Sequence, residues 1–316
     1  MNFLYCFDEN YNSQGFSSMI SLLDNVSEKI NIYLIHNTKK VVNDFPKLIT
    51  THKNLNSINI YEFNDNNHYF PNLSNSHVSA ATYYRLFIEN YLGEHLDLLV
   101  YLDADLICMN DPIPLLKEEF RNLDQSNYVL SAKTELDRED VEEKYLVELE
   151  MPFERLEVSE RYFNAGVLLI NFNKWREENY TEKLIKRLSL LKDNIIMWDQ
   201  DVLNSLVDGK YSILEQKFNF SDSDYENQSK EETDNIIFLH FVGNTKPWKI
   251  NGAFRPSSQI YHKNYRKVHS NKFHIVHTWK RNSVKGIIKA IRNGSFSNIE
   301  NKVRYLYEFV KSLTFS

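Results

Sequence analysis

LDLLVYLDADLICMNDP, residues 96–112, carries an apolar run straight into two carboxylates, Asp103 and Asp105, one residue apart. The run LDLLVYL (96–102) has the length and composition of a strand buried on both faces, the kind found in parallel sheets. Runs of the same character flank it. FLYCF (3–7), INIYLI (30–35) and SINIYEF (57–63) precede it; YVLSA (128–132), GVLLINF (166–172), YSIL (211–214) and NIIFLHF (235–241) follow. Helical patterns lie between them. Residues 15–27 have helical apolar spacing, SAATYYRLFIENYL (79–92) reads as a helix capped by Ser76 or Ser79, and another helix is expected after Asn173. This alternation predicts an α/β fold whose parallel sheet is covered on both faces, with the later runs continuing the sheet. Two segments leave the scheme: 135–151 is acidic with helical spacing, and 221–235 is polar enough for a mobile loop.

Composition narrows the function. A chain of 316 residues can bury a sizeable core, as one domain or one domain plus an appendage. The net charge of −6 argues against general nucleic-acid binding. Charge is uneven: residues 280–316 hold eight Lys or Arg against two acidic residues, about +6, leaving about −12 for residues 1–279. A basic tail on an acidic body fits an anionic partner surface such as phospholipid headgroups. Cys6 and Cys108 make no disulfide framework and are expected reduced, in a cytosolic protein. The N-terminal apolar run is too short for a signal peptide, and no run approaches a membrane span.

The strand ends carry the chemistry. FLYCF leads to Asp8 and Asn10, LLVYL to Asp103 and Asp105, and IIFLHF holds His240 ahead of GNTKPW. Ligands of open α/β sheets bind beyond the carboxyl ends of strands, so these segments are expected to converge on one cleft. Asp103 and Asp105, two apart in an extended chain, would face one side, and such a pair repels unless a cation neutralises it. With His240 they offer two hard oxygens and an imidazole, a set suited to Mn²⁺, with Mg²⁺ as the alternative. Taken alone, the triplet also fits a solvated turn, and a lone His fits a core position. In HFVGNTKPW (240–248), Gly243 would let backbone amides approach a phosphate, and Lys246 would bring positive charge to a leaving diphosphate. No glycine-rich phosphate loop occurs, which leaves a carboxylate-held metal as the phosphate holder.

FDENY, YYRLF, YLDADLI, FNAGVLLINFNKWR, WDQDVLN and LHFVGNTKPW occur in this order, and together they resemble the retaining glycosyltransferases of family 8 over residues 1–255. That group includes bacterial lipopolysaccharide galactosyltransferases, with glycogenin more distant. The resemblance implies a GT-A fold, a UDP-sugar donor and Mn²⁺. It implies that Asp8 and Asn10 contact the uracil and ribose, that the backbone at Ala104 approaches the nucleotide, and that Asp103, Asp105 and His240 ligate the metal. Gly243 and Lys246 would hold the diphosphate. Arg85, Asn164, Asp199 and Gln200 would lie around the donor sugar. Plainer roles stay open: Arg85 as an ordinary ion-pair partner, Asn164 as part of a turn, Asp199 as a helix N-cap. Asp201 reads as structural or as a support behind the residues of the site.

Retention with a neutral amide, Gln200, near the reacting face favours a front-face route over a double displacement. The departing phosphate would help deprotonate the acceptor hydroxyl, and the Gln200 oxygen would stabilise the oxocarbenium-like centre. Metal and Lys246 would stabilise the leaving group. Asp199 is the carboxylate alternative. The acceptor is expected to be a surface, lipid-linked or protein-linked glycan.

Residues 256–316 are expected to form a basic helical region. Val284, Ile287, Ile288 and Ile291, then Ile299, Val303, Leu306, Val310 and Leu313, give two helical stripes. These suit either a membrane surface, with the protein peripheral on the inner face of the plasma membrane, or packing on the core. Two other functions compete. A non-catalytic glycosyltransferase-like partner should have lost Asp103, Asp105, His240 or Lys246, and all four are present. A glycogenin-like self-glycosylating primer needs an acceptor tyrosine, and none of the nineteen stands out.

Overall fold

The computed structural model describes residues 1–64, 68–71, 73, 79–139 and 152–314. Ser76 and residues 140–151 of the acidic stretch lie outside these. Strands β1 (Asn2–Phe7), β2 (Ile30–His36), β3 (Leu55–Glu62) and β4 (Leu98–Leu102) pair in parallel, in the order β3-β2-β1-β4. Alternate residues of β1 enter two different cores. Phe3, Tyr5 and Phe7 pack with helices α1 (Asn12–Asn25) and α2 (Ile113–Gln125). Leu4 and Cys6 pack with the 80–90 segment on the other face. The chain runs outward from β1 to β3, then crosses back to lay β4 on the opposite side of β1. This reversal opens a crevice at the carboxyl ends of β1 and β4.

The second half departs from the all-parallel expectation. β6 (Leu130–Asp137) and β7 (Arg161–Asn171) run antiparallel to each other, β7 runs antiparallel to β4, and β8 (Ser212–Ile213) closes a seven-stranded sheet. An apolar run buried on both faces looks the same in either direction, so burial alone does not encode strand polarity. NIIFLHF does not extend this sheet either. Its strand β10 (Phe238–His240) sits in a separate three-stranded sheet between β5 (Leu106–Cys108) and β9 (Phe220–Ser221). The triplet Asp103-Ala104-Asp105 is therefore a turn between two sheets and not an extended stretch.

Other segments refine similarly. Residues 80–90 form a 3₁₀ helix, kinked at Phe87, with Ser79 Oγ accepting from the Ala81 N–H at 3.3 Å. The helix after Asn173 is two, α3 (Phe172–Glu177) and α4 (Tyr180–Leu191), broken at Asn179, whose φ is +54°. The polar stretch 221–235 is built and not a loose loop. Ser229 and Glu232 form a capping box on a short helix, Lys230–Asp234. Buried Asp222 pairs with Arg255 at 3.0 Å and accepts from the Val242 N–H at 3.1 Å.

Helix α5 (Trp198–Val207) packs on β7 and on residues 80–90. Helix α6 (Pro256–Val268) lies against α1, and its Tyr261 and Tyr265 join the core under the second sheet. The last helices, α7 (Lys280–Arg292) and α8 (Lys302–Thr314), bury Ile287, Ala290, Tyr305 and Phe309 against Ile250 and Phe254. Of the first predicted stripe only Ile287 is buried; of the second Ile299 is buried, with Leu306 and Leu313 packed partly buried. Val284, Ile288 and Ile291, and likewise Val303, Tyr307 and Val310, remain exposed at i, i+4, i+7 spacing. Among the described residues, no helix is long and apolar enough to cross a membrane.

Candidate active site

A cavity of about 110 Å³ lies at the carboxyl ends of β1 and β4, its lining including Tyr11, Thr82, Arg85, Asp103, Ala104, Asp105 and Lys246. Two carboxylates and two cations share this small space, and topology explains how. β5 starts immediately after the triplet and pairs antiparallel with β10, setting His240 opposite Leu106. The imidazole Nε2 thereby stands 3.3 Å from Asp105 Oδ1 and 3.8 Å from Asp103 Oδ2. One ligand atom from each of Asp103, Asp105 and His240 falls within 4.8 Å of the others. This geometry and donor set fit a hard divalent cation such as Mn²⁺ or Mg²⁺.

The surrounding residues keep Asp105 ionised. Lys246 Nζ lies 2.6 Å from Asp105 Oδ2 and also donates to the Phe241 carbonyl. Burial opposes the charge on Asp105, but Lys246 and His240 outweigh it and hold the carboxyl far below its ordinary range. Asp103 Oδ1 accepts from Arg85 Nη2 at 2.6 Å and from the Tyr101 hydroxyl at 2.7 Å. The His240 ring lies directly over Gly166. A Cβ there would fall 2.3 Å from His240 Cε1, so the glycine of FNAG makes room for the imidazole.

The other end of the cleft is assembled by β7. Because β7 runs antiparallel to β4, its beginning reaches the carboxyl end of β4, and the Asp103 N–H donates to the Gly166 carbonyl at 2.9 Å. Arg85, buried with its guanidinium 4.1 Å over the Tyr101 ring, bridges this region. It donates to the Ala165 carbonyl at 2.6 Å, and its Nε lies 2.9 Å from Asp199 Oδ2. A 3₁₀ helix aligns residues three apart. Thr82 and Arg85 accordingly reach the same carboxylate, Thr82 Oγ1 donating to Asp199. Burial pushes the Asp199 carboxyl up to about 6, with Arg85 and Thr82 opposing. Asp199 is not an N-cap: Met197 occupies that position without a side-chain cap, and Asp199 is buried against Arg85 and Thr82.

Gln200 and Asn164 converge on a residue that sequence reasoning missed. Gln200 Nε2 donates to Glu135 Oε2 at 3.2 Å, and Asn164 Nδ2 donates to the same oxygen at 3.1 Å. Glu135 opens the acidic stretch 135–151, where its charge blended into a solvated run. Gln200 Oε1 already accepts from the Ala165 N–H at 3.0 Å. One of its lone pairs is thus committed, which narrows the role expected for that oxygen. Asp201 is structural, as expected: fully buried, it pairs with Arg155 at 2.6 Å and accepts from the Tyr162 hydroxyl at 2.7 Å.

The remaining candidates sit at the margin. Asp8 caps the turn Glu9–Tyr11, accepting from the Asn10 N–H at 3.0 Å and from Asn10 Nδ2 at 3.3 Å. Neither belongs to the lining of the small cavity, although their neighbours Phe7 and Tyr11 do. Gly243 has φ +65° with open space around it, the conformation and clearance that favour glycine. Cys6 and Cys108 are free and buried, and burial pushes both thiols up, so neither suits a nucleophile.

Residues 2–252 match the profile of glycosyl transferase family 8. The chain belongs to that family. It is 32% identical over 273 residues to a lipopolysaccharide 1,2-glucosyltransferase of Escherichia coli K12, covering 83% of this chain and 76% of that protein. It is 34% identical over 193 residues to a lipopolysaccharide 1,3-galactosyltransferase of Salmonella typhimurium, covering 57% of this chain and 52% of that one. General stress protein A of Bacillus subtilis is 26% identical over 280 residues, 83% of this chain and 92% of that protein. Among solved structures, galactosyltransferase LgtC in complex with donor and acceptor sugar analogues aligns at a TM-score of 0.69 and 22% identity, over 90% of this chain and all of that one. The fold of this family 8 glycosyltransferase is thus GT-A, with a helical C-terminal region.

Proposed function

We propose that this glycosyltransferase moves a hexose, galactose or glucose, from a UDP-sugar to a lipopolysaccharide-type or other surface glycan, with retained configuration and dependence on Mn²⁺. The observation that carries this reading is the Asp103–Asp105–His240 cluster with Lys246 beside it, at the crevice where the strand order reverses. A metal held by these three residues would neutralise the donor diphosphate. Lys246 would add charge to the leaving group, and Gly243 would let the loop backbone approach it. Asp8 and Asn10 would meet the uracil and ribose, with Ala104 between the carboxylates giving the nucleotide close access. Arg85, Asn164, Asp199 and Gln200 would hold the sugar. A front-face route suits an amide whose oxygen has one lone pair beyond its bond from the Ala165 N–H.

Residues 1–255 would act as the catalytic unit and 256–316 as its basic extension. The exposed rows Val284, Ile288, Ile291 and Val303, Tyr307, Val310, set among lysines and arginines, support contact with an anionic membrane surface. A cleft of about 650 Å³ between α7 and the loop after His240, bearing Asn244, Asn282, Lys249 and Trp279, suits an acceptor glycan. The relatives named above include both a glucosyl- and a galactosyltransferase, which supports the choice of donors.

The test is a panel of UDP-sugars assayed for turnover with Mn²⁺ and with chelator. One hexose donor should turn over only with metal, and the product should keep the donor's anomeric configuration. Absence of metal-dependent turnover for every UDP-sugar would favour the non-catalytic partner.

A further inference from the structure

His240 can serve a metal only by presenting a nitrogen without a hydrogen, and imidazole has two nitrogens to choose from. A chain of amides makes the choice. The Gly166 N–H donates to Asn164 Oδ1 at 2.9 Å, and a backbone N–H can only donate. That atom of Asn164 is therefore the oxygen, as is confirmed at its other end, where Asn164 Nδ2 donates to Glu135 at 3.1 Å. The Asn219 atom lying 2.9 Å from Asn164 Oδ1 must then be its NH₂. This turns Asn219 Oδ1 toward His240 Nδ1, at 2.8 Å. An amide oxygen can only accept, so Nδ1 carries the hydrogen. Nε2 is left facing Asp105 and Asp103. Asn219 is 2% exposed and His240 6%, so water offers little competition for these bonds.

We propose that Asn219 is the positioning residue that holds His240 as the Nδ1–H tautomer and so commits Nε2 to a divalent cation. This rests on the reading of Asp103, Asp105 and His240 as metal ligands. It also gives FNAG a second task. Asn164 orients Asn219, and Gly166 clears space for the imidazole, so a segment expected around the sugar also sets up the metal end. Outer partners of metal-bound histidines typically change metal affinity by about 10–100-fold.

Two measurements test it. Long-range ¹H–¹⁵N NMR of the metal-free protein with ¹⁵N-histidine, at alkaline pH, reads the tautomer directly. The expected result is a hydrogen on Nδ1 of His240, whatever Nε2 carries against Asp105 in the metal-free site; a bare Nδ1 with the hydrogen on Nε2 alone overturns the proposal. Mn²⁺ affinity by electron paramagnetic resonance then compares variants. Asn219→Leu should weaken binding roughly 10–100-fold. Asn219→Asp keeps an acceptor toward Nδ1 but loses the hydrogen bond to Asn164 Oδ1, so it should bind Mn²⁺ more tightly than Asn219→Leu and less tightly than the wild type. A residue that merely packs would give the opposite ranking, with Leu tolerated and Asp not, and that would overturn the proposal. His240→Ala separates the two levels of inference. If it leaves Mn²⁺ affinity unchanged, the metal reading itself fails. If it weakens binding while Asn219→Leu does not, only the role of Asn219 fails.

Discussion

Asp105 and Asp199 are both buried carboxylates beside a cation, yet their surroundings push them in opposite directions. Asp105 has Lys246 largely to itself and His240 next to it, and its carboxyl is driven down. Asp199 must share Arg85 with Asp103, and burial wins, lifting it to about 6. One cation per carboxylate keeps a buried charge; one cation for two leaves a group near neutrality. The charge is thus kept on Asp105, at the end proposed for the metal, and moderated on Asp199, at the end proposed for the sugar.

The largest effect expected from disturbing this arrangement is at Asp105. Asp105→Asn should remove about 10³-fold or more of Mn²⁺-dependent turnover, on the scale of losing a preorganised electrostatic group. From sequence alone little loss of fold is expected. The structure adds a cost, because Lys246 is left buried without its carboxylate, so denaturant unfolding should show up to about 3 kcal/mol of destabilisation. At the other end, Arg85→Met strands two carboxylates at once. About 3–5 kcal/mol of stability should go, with Arg85→Lys recovering part of it. A loss confined to activity would mean that the bridge is not structural.

Gly166→Ala comes next. The added methyl must displace the His240 ring, and Mn²⁺ affinity should fall roughly 10-fold or more while secondary structure by circular dichroism stays intact. The pH dependence then tests the comparison itself. The folded carboxyl of Asp199 sits at about 6 against an ordinary 3.8, so the native state binds the extra proton. Its contribution to stability is present below pH ~4 and is lost as pH rises through ~6. Measured against Asp199→Asn, the wild type should lose on the order of 2 kcal/mol between these limits. Asp105 has the reverse sign and its window lies below its ordinary 3.8, so the wild type measured against Asp105→Asn should show no such slope between pH ~5 and ~8. Equal slopes in the two differences would break the contrast.

The smallest effects are expected at the tail. Ile288→Ser with Tyr307→Ser touches only exposed positions and should change stability by no more than about 0.5 kcal/mol. Flotation with anionic vesicles should nevertheless drop; unchanged flotation sinks the membrane contact. Deleting residues 280–316 would not answer the question, because Ile287, Tyr305 and Phe309 help cover Ile250 and Phe254.

Much of this was legible in the sequence. The apolar runs at 3–7, 30–35 and 96–102 marked the central strands, and the polar groups at their ends marked the cleft. Asp103, Asp105 and His240 came together as expected, though through a turn and a second sheet and not through an extended strand. Strand direction was not legible, since β6 and β7 look equally apolar read either way. Nor were Thr82, Glu135 and Asn219. Each is tied into the site by side-chain hydrogen bonds to residues distant in the chain, and no local pattern announces such contacts. The predicted stripes of the tail divide: Ile287 and Ile299 are buried and Leu306 and Leu313 pack partly buried beside them, while Val284, Ile288, Ile291, Val303 and Val310 are exposed.

The proposal that Asp103, Asp105 and His240, from two chain segments, hold one cation is tested most directly by titrating Mn²⁺ into the protein in the presence of UDP while following free Mn²⁺ by electron paramagnetic resonance. The wild type should take up a single ion per chain, and Asp105→Asn should take up none over the same range. Equal binding by both proteins would contradict the metal end as described.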